Sequence, residues 1–310
     1  MEAEGQMADN LIRRILDMYP LRAGEYLPAY VARLLAFADF VSAQELFNYF
    51  GSAVPKTSDG FLPRWALLMA NSSLLNKDCN AIIDEHLGGS FWRPFIGKDG
   101  FELHTKHQLD GKGTMRVLFA GEKPLTKFAP LKYCARCRDE EISRLGFCIW
   151  QSHHQLATVF TCQKHGDVLH HKQSKGFPVP DGKSVEAFDQ VGGVQPAIST
   201  FHRWLEFESN LIATSESRYG NGMLATYRSV FLESSFFEGA TSPAGRRLTA
   251  QWSKALKQYL SLLFPHQRNE IWYQLQSEKV SVKSIMDISK PVHPLLLLLF
   301  KTFYMFQYRA

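Results

Sequence analysis

YCARCRDEEISRLGFCIWQSHHQLATVFTCQKHGDVLHH, residues 133–171, holds four of the chain's five cysteines and five of its eleven histidines, a density that points to metal. Cys134 and Cys137 form C-x2-C, Cys162 and His165 form C-x2-H, and 24 residues separate the two pairs. Each short pair sets two donor atoms on one side of a tight loop, and two such pairs close a tetrahedron around an ion. Thiolate and imidazole donors without a carboxylate select zinc over magnesium or calcium. Gly166, directly after His165, suits the turn that such a pair needs. The spacing predicts one structural zinc ion on Cys134, Cys137, Cys162 and His165, within a small zinc ribbon over residues 126–175. Cys148, His153, His154, His170 and His171 read as packed or surface side chains beside it.

Four protein ligands leave no coordination position for water, so such an ion stabilises a fold and does not hydrolyse anything. No H-E-x-x-H helix, deaminase H-x-E with P-C-x-x-C, Walker loop or G-x-S-x-G elbow occurs. The sequence therefore reads as a binding protein and not an enzyme.

Composition agrees with a folded chain. Of 310 residues, 45% are hydrophobic and 21% charged, which excludes the disordered class. The formal charge of +5 is too mild to argue for a nucleic-acid partner by itself. An odd cysteine count makes a disulfide framework a poor reading. The opening MEAEGQMADNLIRRIL has no continuous apolar stretch of the signal-peptide kind, and the apolar run 294–300 is too short for a bilayer. The expectation is a cytoplasmic protein without a membrane partner.

Around the cysteine segment the chain reads as mainly α. Residues 1–125 form an N-terminal helical region. In it Leu27, Val31, Leu34, Leu35 and Ala38 fall close to one helix face, with Pro28 suited to a first turn. Ser42 and Glu45 have capping-box spacing, and the helix they start carries Leu46, Phe47 and Phe50 and ends at Gly51. This pair fits a helix-turn-helix, but also any αα-hairpin, and packing hairpins are common. Further helices are expected over 63–75 and 79–87. Residues 97–130, rich in Gly, Lys and Pro, offer only a short strand-like run at 115–120. Residues 176–196 read as a linker, and 197–310 as a C-terminal helical domain with helices at 198–207, 222–237, 248–264 and 294–306. Its core would hold Trp204, Trp252 and Trp272. Short strands are expected at Tyr133 and 159–161.

The segment resembles the zinc-ribbon portion of the TniQ/TnsD family, the target-selection proteins of bacterial heteromeric transposons. The matching elements are Tyr133-Cys134-x-x-Cys137, Trp150, His154-Gln155-Leu156, and Cys162-x-Lys164-His165-Gly166 with Leu169. Upstream, Tyr19-Pro20, Glu25 and Ala32-Arg33 are similar to the family's opening block. Glu85-His86-Leu87 and Pro94-Phe95 are similar to the block before the ribbon. Ala135 and Ala157 stand where the family often has proline, and nothing after Cys162 supplies the second cysteine cluster of some members. The chain resembles either a short TniQ-type member or the N-terminal part of a longer one.

The resemblance implies an adaptor that recognises the insertion site and recruits an AAA+ ATPase of the TnsC/TniB type. Recognition is either direct, through target DNA, or indirect, through an RNA-guided CRISPR effector complex. For direct binding the phosphate contacts would be Lys132, Arg136, Arg138 and Lys164 near the metal, and Arg246, Arg247, Lys254 and Lys257 further on. For the ATPase, the expected anchors are Tyr19, Tyr26, Tyr30 and Phe40 beside Arg13, Arg14 and Arg22. Residues 1–24 would then be removable without loss of the core. Trp150 is expected to pack between the ribbon and the helical region, and His154 to form a hydrogen bond there.

Overall fold

The side-chain oxygen of Ser42 accepts a hydrogen bond from the Glu45 amide at 3.2 Å, so the cap legible in the sequence does start a helix. The computed structural model describes residues 2–38, 40, 42–52, 64–96, 98–110, 131–156, 158–172, 186–187, 200, 203–208, 211, 243–263, 268–277 and 293–308. Over these the protein is mainly helical. Its N-terminal helices are α1 (Glu2–Met18), α2 (Leu27–Phe37), α3 (Ala43–Tyr49), α4 (Arg64–Ala70), α5 (Cys79–His86), α6 (Gly89–Ile96) and α7 (Lys98–Leu109). One core joins α1 through α5 and α7, with Trp92 of α6 packed against it. Ile12 and Leu16 of α1, Tyr30 and Leu34 of α2, Phe47 of α3 and Trp65 of α4 are buried in it. Trp65 stands edge-on to Phe47 at 5.7 Å.

α6 and α7 run where the sequence promised little helix. Pro94 lies inside α6, at the loss of a backbone hydrogen bond. Phe91 and Phe95, four residues apart, are both buried on one face and lie 5.9 Å from each other, and that burial offsets the loss. In α7, Phe101 and His104 are buried one turn apart, and the Arg93 guanidinium sits 4.0 Å from the Phe101 ring centre. Tertiary packing outweighs the weak local propensity of this stretch.

The segment with the candidate metal ligands, here the metal segment, comprises β1 (Leu131–Tyr133), α8 (Ala135–Leu145) and β2 (His170–Lys172). β2 is the middle strand of a three-stranded antiparallel sheet, with β1 on one side and β3 (Glu186–Ala187) on the other. Tyr133 pairs with His170, as a strand at Tyr133 requires. Of the expected strand at 159–161, only Thr161 makes a bridge, to Val168. β3 lies inside the stretch read as linker, and the rest of 176–196 is outside the described residues, as are 115–120, 222–237 and the boundary near 125.

The C-terminal helices are α9 (Pro243–Leu263), α10 (Arg268–Ser277) and α11 (Pro294–Tyr308). α11 buries all six residues from Leu295 to Phe300, so its helix is enclosed on every side. That explains an apolar run with no amphipathic period. Pro94's neighbour Phe95, Val159 and Phe160 of the metal segment, Trp252 of α9 and Leu275 of α10 share one core with it. Trp252 is buried as expected and Trp272 is half-buried, but Trp204 is 50% exposed and belongs to the surface. Among the described residues, no helix is long and apolar enough to cross a membrane.

Candidate metal centre

Cys134 is the N-cap of α8 and Cys137 lies in its first turn. The first donor pair therefore sits on the amino end of a helix, where the unpaired amides and the helix dipole favour thiolate charge. Gly146, in the left-handed region at φ +78°, ends this helix and turns the chain back. The second pair lies in the turn closed by the Thr161–Val168 bridge. There the Gly166 amide donates to the Cys162 carbonyl at 2.7 Å, and the Cys162 amide to the Asp167 carbonyl at 2.8 Å. Gly166 has φ +72°, a conformation any side chain would strain.

The four donor atoms converge. His165 Nδ1 lies 3.3 Å from Cys134 Sγ, 3.4 Å from Cys137 Sγ and 3.6 Å from Cys162 Sγ. Cys137 Sγ and Cys162 Sγ are 3.6 Å apart, far beyond a disulfide bond, and none of the five cysteines is in a disulfide. A tetrahedral ion with metal–ligand bonds of about 2.0–2.3 Å has donor–donor edges of about 3.6 Å. The donor set thus fits one metal ion, and all four donors lie within 4.8 Å of one another. Burial, foremost, pushes the Cys134 and Cys137 thiols up, and the neighbouring Cys162 adds to the rise. A bound metal cation would offset the charge of three thiolates sharing so small a volume.

The cations expected to meet phosphate are mostly engaged locally. Lys132 is a correction: it is 2% exposed and donates its ammonium to the carbonyls of Leu156 and Val159, the latter at 2.7 Å. Burial pulls it down to about 7, and it is inaccessible to a nucleic-acid backbone. Arg136 is exposed but bonds Asp167 at 2.8 Å and the His165 carbonyl at 2.6 Å. Arg138 donates to Asp139 at 2.8 Å and lies 5.9 Å from the Tyr133 ring centre. Lys164 is paired with Glu140. Arg246, Arg247, Lys254 and Lys257 all lie exposed on α9, the Lys257 ammonium 4.5 Å from the Trp272 ring centre.

The expected ATPase anchors are also redistributed. Tyr30 is fully buried, Tyr26 has its hydroxyl pushed up to about 12 by burial, and Tyr19 and Phe40 pack half-buried on the N-terminal core. Arg13 and Arg14 remain exposed. Because Ile12, Leu16 and Leu21 belong to that core, removing residues 1–24 would open it.

Trp150 lies where expected, 1% exposed between Ala29 of α2 and Tyr133 of β1, its ring edge-on to Tyr133 at 5.6 Å. His154 is a correction. It is buried, yet among the described residues neither ring nitrogen has a hydrogen-bond partner. Burial pushes it down to about 3, so it is a neutral ring packed on His153 at 4.1 Å.

A polar joint that periodicity and spacing do not reveal ties this segment to the N-terminal helices. The buried Arg33 forks onto Glu25 at 2.7 and 2.8 Å and reaches the Pro20 carbonyl at 2.8 Å. His86 Nδ1 meets the Glu25 carbonyl at 2.7 Å. The Tyr26 amide donates to the Trp150 carbonyl and the Ser152 amide to the Gly24 carbonyl, both at 2.7 Å, and the Ser152 hydroxyl donates to the Glu85 carbonyl at 2.5 Å. Glu141 accepts from the Ile149 amide at 2.8 Å and from Gln151. On the other side Glu206 accepts from the Phe160 and Thr161 amides and from the Thr161 hydroxyl. Partners such as Glu25 and His86, 61 residues apart, leave no trace in spacing, and the family resemblance alone singles out Glu25, Arg33 and His86. Compared with known proteins, no family model matches this chain and no curated protein matches it.

Proposed function

We propose that this protein is a target-selection adaptor of transposition, of the TniQ/TnsD kind, which recruits an AAA+ ATPase of the TnsC/TniB type to an insertion site. Its structural cofactor in this reading is one zinc ion on Cys134, Cys137, Cys162 and His165, its work is binding rather than catalysis, and it acts in the cytoplasm. One observation carries the proposal. The three sequence blocks that resemble the family meet in space: Pro20, Glu25 and Arg33 of the first, Glu85 and His86 of the second, and Trp150 of the third adjoin one joint. A chance likeness of scattered residues gives no reason for them to form one hydrogen-bonded unit.

Direct reading of target DNA rests on Arg246, Arg247, Lys254 and Lys257, the exposed cations of α9. A second reading, a bridge between an RNA-guided CRISPR effector and the ATPase, is favoured by the cations near the metal. Arg136, Arg138 and Lys164 are paired with neighbouring carboxylates, and Lys132 is buried. Gel shifts over a salt series, with and without the ATPase, test both. DNA binding by this chain alone, with affinity falling steeply as salt rises, supports direct reading. Binding only within a complex supports the bridge, and failure to engage the ATPase in either setting overturns the adaptor proposal.

A further inference from the structure

The two ring nitrogens of His165 face different partners. Nδ1 points at the three cysteine sulfurs, 3.3–3.6 Å away, while Nε2 lies 3.0 Å from Oε1 of Glu140. An imidazole that binds a metal through one nitrogen carries its proton on the other. Glu140 follows Cys137 by three residues on α8, so the carboxylate stands on the same helix face as a donor of the first pair. The other carboxylate oxygen, Oε2, is bonded to Lys164, next in sequence to His165. The His165 ring is 8% exposed, so Glu140 closes the solvent side of an otherwise covered ligand.

We infer that Glu140 is a positioning residue of the metal centre. Its carboxylate accepts the Nε2 proton of His165, holds the ring with Nδ1 toward the ion, and makes the imidazole a stronger donor. The α8 helix thereby fixes the site twice, through the Cys134–Cys137 pair and through the orientation of a ligand on the second turn. The inference rests on the reading that the cluster holds a metal ion. The competing account makes Glu140 only the partner of Lys164 in an exposed ion pair, which contributes little.

The zinc-loaded 310-residue chain, wild type and the variants Glu140→Ala, Glu140→Gln and Lys164→Ala, would be titrated against a chromophoric chelator. The His165 Nε2 proton would be followed by 1H–15N NMR. Glu140→Ala should weaken zinc binding about 10–100-fold and expose the Nε2 proton to rapid exchange. Glu140→Gln, which keeps an acceptor oxygen, should recover most of the affinity, and Lys164→Ala should stay within about twofold of wild type. Zinc held by Glu140→Ala as tightly as by wild type would overturn the inference. So would a Lys164→Ala loss equal to that of Glu140→Ala. A wild-type chain that takes up no zinc would instead overturn the metal reading, and the inference with it.

Discussion

The metal segment touches the rest of the molecule through two unlike faces. Toward α2 and α5 it is joined by hydrogen bonds between Tyr26 and Trp150, Ser152 and Gly24, and Ser152 and Glu85, beside the buried Glu25–Arg33 fork and His86 on the Glu25 backbone. Toward α9, α10 and α11 it merges Val159, Phe160 and Leu169 into an apolar core, with Glu206 as its main polar tie. The physics of the two differ. Hydrogen bonds and ion pairs are directional, and a lone partner left in a dry interior is costly, so the polar face sets one geometry and tolerates little. Apolar contact scales with area and is lost by degrees. The metal segment is thus held by directional hydrogen bonds on one side and by apolar burial on the other.

Removing the metal should break both faces at once. Cys137→Ser leaves three donors, and structural zinc supplies about 10–16 kcal/mol of folding free energy in small modules. The segment should unfold, with zinc content falling on elemental analysis and a lower melting transition by circular dichroism. Next in size is the polar face. Arg33→Met strands the Glu25 carboxylate, which is 0% exposed, and should cost about 3–5 kcal/mol in denaturant titrations. The double change Glu25→Leu with Arg33→Met should recover much of that loss, because the penalty belongs to the unpaired charge. A double variant as unstable as the single one would argue that the fork itself supplies the stability.

The apolar face should respond in a graded way. Leu260→Ala on α9, a fully buried position, should cost about 2–5 kcal/mol by cavity formation while leaving the Glu25–Arg33 joint intact. The smallest effect is a pH slope. His293 is buried against Trp92 at 4.8 Å, its Nδ1 accepts the Leu295 amide at the start of α11, and burial pushes it down from 6.5 to about 3. Between those values the unfolded chain binds a proton that the folded chain refuses. Stability from this group is therefore present above pH 6.5 and falls as pH drops toward 3, by up to about 1.4 kcal/mol per pH unit. His293→Ser keeps a capping oxygen without the titrating ring. The stability difference between wild type and variant should shift by about 1 kcal/mol between pH 7 and 5.5, measured by urea unfolding at each pH.

The sequence alone determined what depends on neighbours along the chain. Cys134 and Cys137, and Cys162 and His165, lie three residues apart, so local geometry dictates that each pair presents its donors together; the same locality made Ser42 legible as a cap and Pro294 as a helix start. Tertiary structure decided what depends on distant partners. Lys132, a surface cation by its type, is buried because the Leu156 and Val159 carbonyls, 24 and 27 residues away, take its ammonium. α6 is helical despite Pro94 because Phe91 and Phe95 find a core that C-terminal helices complete. Glu25, just before α2, meets Arg33 within that helix, and the third member of their joint, His86, arrives from 61 residues on. Spacing encodes contacts closed by one turn of backbone, whereas burial and long-range hydrogen bonds are settled only when the whole chain has chosen which surfaces to cover.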